Sequence, residues 1–159
     1  VDAARFFFLL RSADTTLDFD LELAKQQSSE NPVYYVQYAH ARVASLFRQA
    51  AEQGVAAEAL GAAPPGALQL PEEHRLARAV LEWPGVVRLA AGRLEPHHLT
   101  HYSLELATAF HWFYKQCRVV SSVPGEEAMT RARLKLVEAA KTVLARCLDL
   151  MGMEAPEQM

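Results

Sequence analysis

The segment NPVYYVQYAHARV, residues 31–43, holds the side chains best suited to reading a nucleotide base. On a helix turning ~100° per residue, Tyr38 lies about 60° to one side of Tyr35, and Arg42 about 20° to the same side. Tyr35, Tyr38 and Arg42 therefore form one stripe. It borders an apolar face made by Val36, Ala39, Val43, Leu46, Phe47 and Ala50. Ring faces at such an edge can stack on a splayed-out base, and an arginine one turn along can meet a phosphate or a base edge. Tyrosines at a core boundary can equally bury the ring and wet the hydroxyl. Spacing alone leaves both readings open, for these residues and for Tyr102, Trp112 and Tyr114 further on.

His97, His98 and His101 are the nearest approach to a metal constellation. His97 and His101 share a helix face, but the sequence places no obvious acid or thiol as a third ligand, so no metal is expected there. Cys117 and Cys147 lack a CxxC arrangement and read as reduced, buried residues of a cytosolic protein. No glycine-rich phosphate loop, zinc-finger spacing or nucleophile elbow is present. The net charge of −3 does not advertise a nucleic-acid binder. Between Lys115 and Arg146, however, seven basic residues face three acidic ones, a local charge of +4. That stretch could meet phosphates, or could be an ordinary solvated helix face.

These side chains need rigid elements to hold them. The 159 residues are 51% hydrophobic and 22% charged, enough for one domain with a core and unlike a disordered chain or a coiled-coil rod. The FFFLL run at 6–10 is far short of the ~20 residues of a membrane span. Asp2–Arg11 is helix-compatible, Ser12–Thr16 reads as a turn, residues 17–20 as a short extended piece, and Leu21–Gln27 as a short helix. Asn31 is expected to cap, through its side chain, a helix that Pro32 opens and Gly54 stops. Residues 54–70 read as a surface linker. Pro71 should open a helix ending near Trp83, where Pro84-Gly85 follows, with a short helix from Val86 to Ala91 stopped by Gly92. Pro96 should start a long helix through Val120, and Glu126-Glu127 the last one, closed by Gly152. The expectation is an all-α, antiparallel bundle of three long helices and several short ones.

The wording of the chain adds a resemblance. Asp2-Ala3-Ala4-Arg5 before FFFLLRS resembles the Asp-Ala-Leu-Arg signature of the anticodon-binding domain of arginyl-tRNA synthetases, with Ala4 in place of leucine. LDFDLELAKQQSSENPVYYVQYAHARV, His98-Leu99-Thr100-His101-Tyr102 through FHWFYKQCRV, and RLKLVEAAKTVLARCLDLMGM with its terminal methionine are similar to successive stretches of the bacterial enzymes. The resemblance covers nearly the whole chain and is weakest at 54–69.

It implies the helical anticodon-binding domain of a class I aminoacyl-tRNA synthetase, residues 1–159, as the C-terminal part of a cytoplasmic enzyme. That enzyme joins arginine to its tRNA using ATP and magnesium. The HIGH-type and KMSK-type motifs of its catalytic domain do not occur here, and the chain begins inside what reads as a helix, as a fragment would. The fragment is expected to lack catalytic residues, cofactor and aminoacylation activity. Its implied partners are tRNA(Arg) and the catalytic domain, with no membrane or DNA. In the family, the first two tyrosines of the YVQYAHAR pattern and its arginine face the anticodon loop. Here these are Tyr35, Tyr38 and Arg42, the stripe the helical wheel selects. Tyr102, from the HY pattern, and Met159, the terminal methionine, are carried over as further RNA contacts. A helical protein-interaction module using the same stripe for a protein partner is the alternative. A small metal-dependent enzyme built on the histidines and the bundle of another class I synthetase are weaker ones.

Overall fold

A computed structural model describes residues 1–12, 15, 16, 18–55 and 66–159 of the chain. Within them the order is α1 (Asp2–Leu9), α2 (Leu21–Lys25), α3 (Pro32–Glu52), α4 (Pro71–Arg93), α5 (His97–Gln116) and α6 (Glu127–Leu150), and no strand occurs among the described residues. The chain is all-helical. Four helices are long rather than three. α6 packs against α3, α4 and α5, and α1 braces α3 and α5. No helix among the described residues is long and apolar enough to cross a membrane.

The apolar periodicities build the core they imply. On α3, Val36, Ala39, Val43, Leu46 and Ala50 are buried; so are Leu99, Leu106, Phe110 and Phe113 on α5. Leu134, Val137, Leu144, Leu148 and Met151 supply the face of α6, and Cys117 and Cys147 are buried, unbridged members of the same core. Burial pushes the Cys147 thiol up to about 12, so it is no nucleophile near neutrality. Of the FFFLL run, Phe6 and Phe7 are buried while Phe8 is exposed and stacks on Phe19.

Pro32 does open α3, and the chain leaves it through Gly54 at φ +76°. Asn31 holds the cap position, but its side chain does a different job. The amide nitrogen donates to the carbonyls of Ala24 and Gln26, at 3.2 and 2.8 Å, and no cap bond forms. The residue ties α2 to the start of α3. Residues 56–65 of the expected 54–70 linker lie outside the described residues, as do 13, 14 and 17 of the expected turn and extended piece.

The largest departure is α4. It runs unbroken through Pro84 and Gly85 and past Gly92, ending at Leu94 in the left-handed region (φ 56°). Proline removes one backbone donor and strains the preceding turn, and here that turn is held from outside. The Tyr102 hydroxyl donates to Ala79 O at 2.7 Å, and its ring stacks on Trp83 at 5.6 Å. The packing of α5 against α4 thus overrides the local break. α5 itself stops at Gln116, short of Val120, because Cys117 turns extended (φ −115°, ψ 125°).

Two polar devices lock the frame. Glu73, in the first turn of α4, is 1% exposed. It accepts from the backbone of Gln69 and Leu70 at 2.7 and 2.8 Å and from Arg133 Nε of α6 at 2.6 Å. Burial alone would raise its carboxyl, but the Leu70, Arg133 and Gln69 donors outweigh that and hold it below the usual range. At the other end, α6 closes in a Schellman turn: Met153 N donates to Leu148 O and Gly152 N to Asp149 O, both at 2.9 Å, with Gly152 at φ +69°.

Candidate nucleic-acid interface

α3 and α5 bring an aromatic cluster to one edge of the bundle. Tyr34 and Tyr38, one helical turn apart, lie parallel with centroids 6.3 Å apart. Tyr38 also stacks on His111 of α5 at 5.8 Å, and Tyr35 tilts against the same imidazole at 4.6 Å. Tyr35 is tethered further: its carbonyl meets His111 Nε2 at 3.4 Å and its hydroxyl reaches Thr108 Oγ1 at 3.5 Å. Burial keeps the imidazole below its ordinary value; the Tyr35 carbonyl opposes this and the Arg42 charge adds to it. His111 is therefore neutral near pH 7 and joins the cluster as a flat ring.

Arg42 is held without an acid. Its Nη1 donates to the Tyr38 hydroxyl at 2.7 Å, and its guanidinium carbon sits 4.4 Å from the centroid of the Tyr114 ring. Aromatic faces and a hydroxyl orient the cation yet leave its charge uncancelled. None of the carboxylates among the described residues forms an ion pair with it.

Two clefts flank Tyr38. One, of about 390 Å³, is lined by Gln27, Ser28, Ser29, Tyr34, Tyr35, Tyr38 and His111. The other, of about 350 Å³, is lined by Tyr38, Ala41, Arg42, Ser45, Arg48, Gln158 and Met159. Tyr38 is the wall between them. One cleft is predominantly aromatic with small hydroxyls, and the other carries two arginines with Gln158 and Met159. Bases can stack in the first while phosphates meet the second.

The structure brings together Tyr35, Tyr38, Arg42 and Met159, four of the five residues expected at this surface. Tyr102 is not among them. It is 3% exposed, its hydroxyl is committed to Ala79, and its ring is covered by Trp83. A ring so placed fastens α4 to α5, and Tyr102 lines the cleft between those helices and neither of the clefts at Tyr38. The aromatic of α5 that does reach Arg42 is Tyr114. Tyr34 and His111 are not among the candidates that the sequence offers, whereas Tyr114 is, as an aromatic open to either stacking or burial. Tyr34 had a visible signal, its four-residue spacing from Tyr38. His111 and Tyr114 are placed by the docking of α5 on α3, which no local pattern encodes.

The basic stretch after Lys115 is also partly spent. Arg133 is buried with Glu73, Lys135 pairs with Glu138 at 2.7 Å, and Lys141 with Glu157 at 2.8 Å. Among the histidines, His98 Nε2 meets Glu95 Oε2 at 2.8 Å, and Glu95, His97 and His98 bring their ligand atoms within 4.8 Å of one another. An acid does stand beside the histidines, two residues before the first of them. The roomiest of these clefts, about 700 Å³ between α4 and α5, mixes Arg75 and Arg78 with Glu82 and Glu105, and Tyr102 is the one aromatic in its lining.

Residues 36–159 match the family model of the DALR anticodon binding domain. The chain is 52% identical over 158 residues to an arginine–tRNA ligase of Dehalococcoides mccartyi (strain CBDB1), covering 99% of this chain and 27% of that protein. It superposes on an arginyl-tRNA synthetase of Thermus thermophilus with a TM-score of 0.78 at 33% identity, covering 99% of this chain and 26% of the other. A Campylobacter jejuni structure provisionally described as an arginyl-tRNA synthetase gives 0.87 at 31% identity, with 99% and 33% covered. The chain spans about a quarter of the length of the curated relatives it matches.

Proposed function

Because the chain belongs to the DALR anticodon-binding domain family, we propose that the surface around Tyr38 reads the anticodon loop of tRNA(Arg). The observation that carries this is the pair of adjoining clefts divided by Tyr38, one lined with ring faces and the other with an uncompensated Arg42. Unstacked bases enter between Tyr34, Tyr35, Tyr38 and His111, each stacked base contributing about 1–3 kcal/mol. Arg42 and Arg48 meet phosphate or base edges, and Met159 closes the far side. Tyr114 belongs to the contact set through Arg42. Tyr102 supports the surface by holding α4 on α5.

The whole protein, on this reading, ligates arginine to tRNA(Arg) with ATP in the cytoplasm, through a catalytic domain beyond these 159 residues. Seating of the correct anticodon favours the complex in which the acceptor end lies at the distant active site, a coupling of two sites through one bound RNA.

The test compares binding of a tRNA(Arg) transcript with an anticodon-substituted version at two salt concentrations. The expected result is a preference for the arginine anticodon that Tyr38→Ala abolishes. Equal, salt-sensitive binding of both transcripts, untouched by Tyr38→Ala, would refute the proposal.

A further inference from the structure

We infer that Asp2 and Arg5 of α1 are positioning residues for the cleft at Met159, acting through the C-terminal tail. The inference rests on the reading of that cleft as an RNA surface.

A segment that leaves a helix without further regular structure ordinarily frays. This one is pinned at successive positions after α6. Arg5 Nη1 donates to Gly152 O. Asp2 Oδ2 accepts from Glu154 N at 3.0 Å and from Gln37 Nε2 at 2.9 Å, and the same Gln37 nitrogen donates to Glu154 O at 2.9 Å. His40 Nδ1 lies 2.8 Å from Pro156 O, and Lys141 Nζ is 2.8 Å from Glu157 Oε1. Met153, between the first two anchors, buries its side chain in the core. Residues 152, 154, 156 and 157 are thus fixed by α1, α3 and α6 together, and only Gln158 and Met159 extend past the last anchor, into the cleft with Tyr38 and Arg42.

An acid in the first turn of a helix ordinarily serves its own helix dipole. The Asp2 bonds instead cross 152 and 35 positions of sequence, to the tail and to α3. Gly152 fits the same account: a side chain there would be strained at φ +69°, and its Cβ would stand 3.3 Å from the Arg5 guanidinium. The two charged residues of the Asp-Ala-Ala-Arg motif therefore act at the opposite end of the chain.

The test is a double-mutant cycle with two readouts: affinity for a tRNA(Arg) transcript, and release of Met159 and Gln158 by a carboxypeptidase. Asp2→Ala is expected to speed release about tenfold, the factor for losing a charge-assisted hydrogen bond. It should weaken RNA binding no more than deletion of residues 154–159 does. In the deleted background, Asp2→Ala should change affinity by less than twofold, since its route of action is gone. Should Asp2→Ala not fold, Gln37→Ala removes the other side chain on Glu154 and is expected to show the same pattern. An Asp2→Ala penalty on binding as large in the deleted chain as in the intact one overturns the inference, as does unchanged release. A deletion that leaves RNA affinity intact also overturns it. In that case Tyr38→Ala still weakening binding would preserve the reading of the aromatic surface, whereas no effect from Tyr38→Ala would remove that reading as well.

Discussion

Arg133 and Arg42 belong to the same bundle and meet opposite surroundings. Arg133 is 6% exposed and bonded to the Glu73 carboxylate and the Arg118 carbonyl. Arg42 is half-buried, bonded to a phenol and lying over a ring. In the first region charge meets charge within low dielectric and nothing is left to offer a ligand. In the second the cation is aimed by neutral groups, so its field persists outside the protein. An arginine can therefore be spent within the frame or left able to meet a ligand, and its partner's formal charge tells the two apart.

The largest effect expected from this contrast is at the buried pair. Glu73→Ala should destabilise the fold by about 3–5 kcal/mol, because Arg133 would be left buried without a partner. Thermal melting measures it, and binding of RNA by the remaining folded protein should be nearly unchanged. An unaltered melting temperature would break the comparison. The pH dependence has a definite sign. Glu73 is held below its ordinary value in the fold, so its contribution is fully present above the unfolded value near 4.5 and is lost as pH falls through the lower folded value. Acid titration of stability for wild type against Glu73→Gln should differ in that window.

Next in size is Tyr38→Ala, which removes the common wall of both clefts. Affinity for tRNA(Arg) should fall by roughly 5- to 150-fold, the equivalent of about 1–3 kcal/mol for one stacked base, with a much smaller change in melting temperature than Glu73→Ala. A smaller change still is expected from Arg42→Gln. The slope of log affinity against log salt should flatten by about 1 if Arg42 neutralises one phosphate. Arg42→Lys should keep the slope and lose the packing on Tyr114. If Arg42→Gln leaves the slope alone, Arg42 is a frame residue like Arg133 and the contrast fails.

The smallest effect is at His111. Its folded value lies below its ordinary one, so stability should be full above about pH 6.5 and decline as pH falls through the lower folded value. His111→Gln should remove that part of the acid-side decline, seen by chemical denaturation at pH 7.5 and 5.5. RNA binding by the wild type should be flat between pH 8 and 7, where the ring stays neutral.

Much of the fold is legible in the sequence alone. The apolar repeats of α3, α5 and α6, the Pro32 opening, and the Gly54 and Gly152 exits rest on local rules that survive packing, whereas the Asn31 side chain is drawn from its cap to α2. The stripe Tyr35–Tyr38–Arg42 followed from helix geometry alone, since one helix carries all three residues. The break expected at Pro84 did not occur, because α5 supplies Tyr102 to the turn before it. The histidine cluster has an acid, Glu95, that the sequence reading did not pair with it.

Residue types and spacing therefore determined the helical class, most of the core and one wall of the aromatic clefts. Only the tertiary structure decided which aromatic of α5 would face that wall. Tyr102 and Tyr114 are twelve residues apart on one helix, with equivalent local chemistry. Docking buries the first against α4 and turns the second toward Arg42. The same holds for Asp2 and Arg5, whose partners lie at the far end of the chain. Periodicity reports which face of a helix is apolar, but the neighbour across that face is chosen by long-range packing.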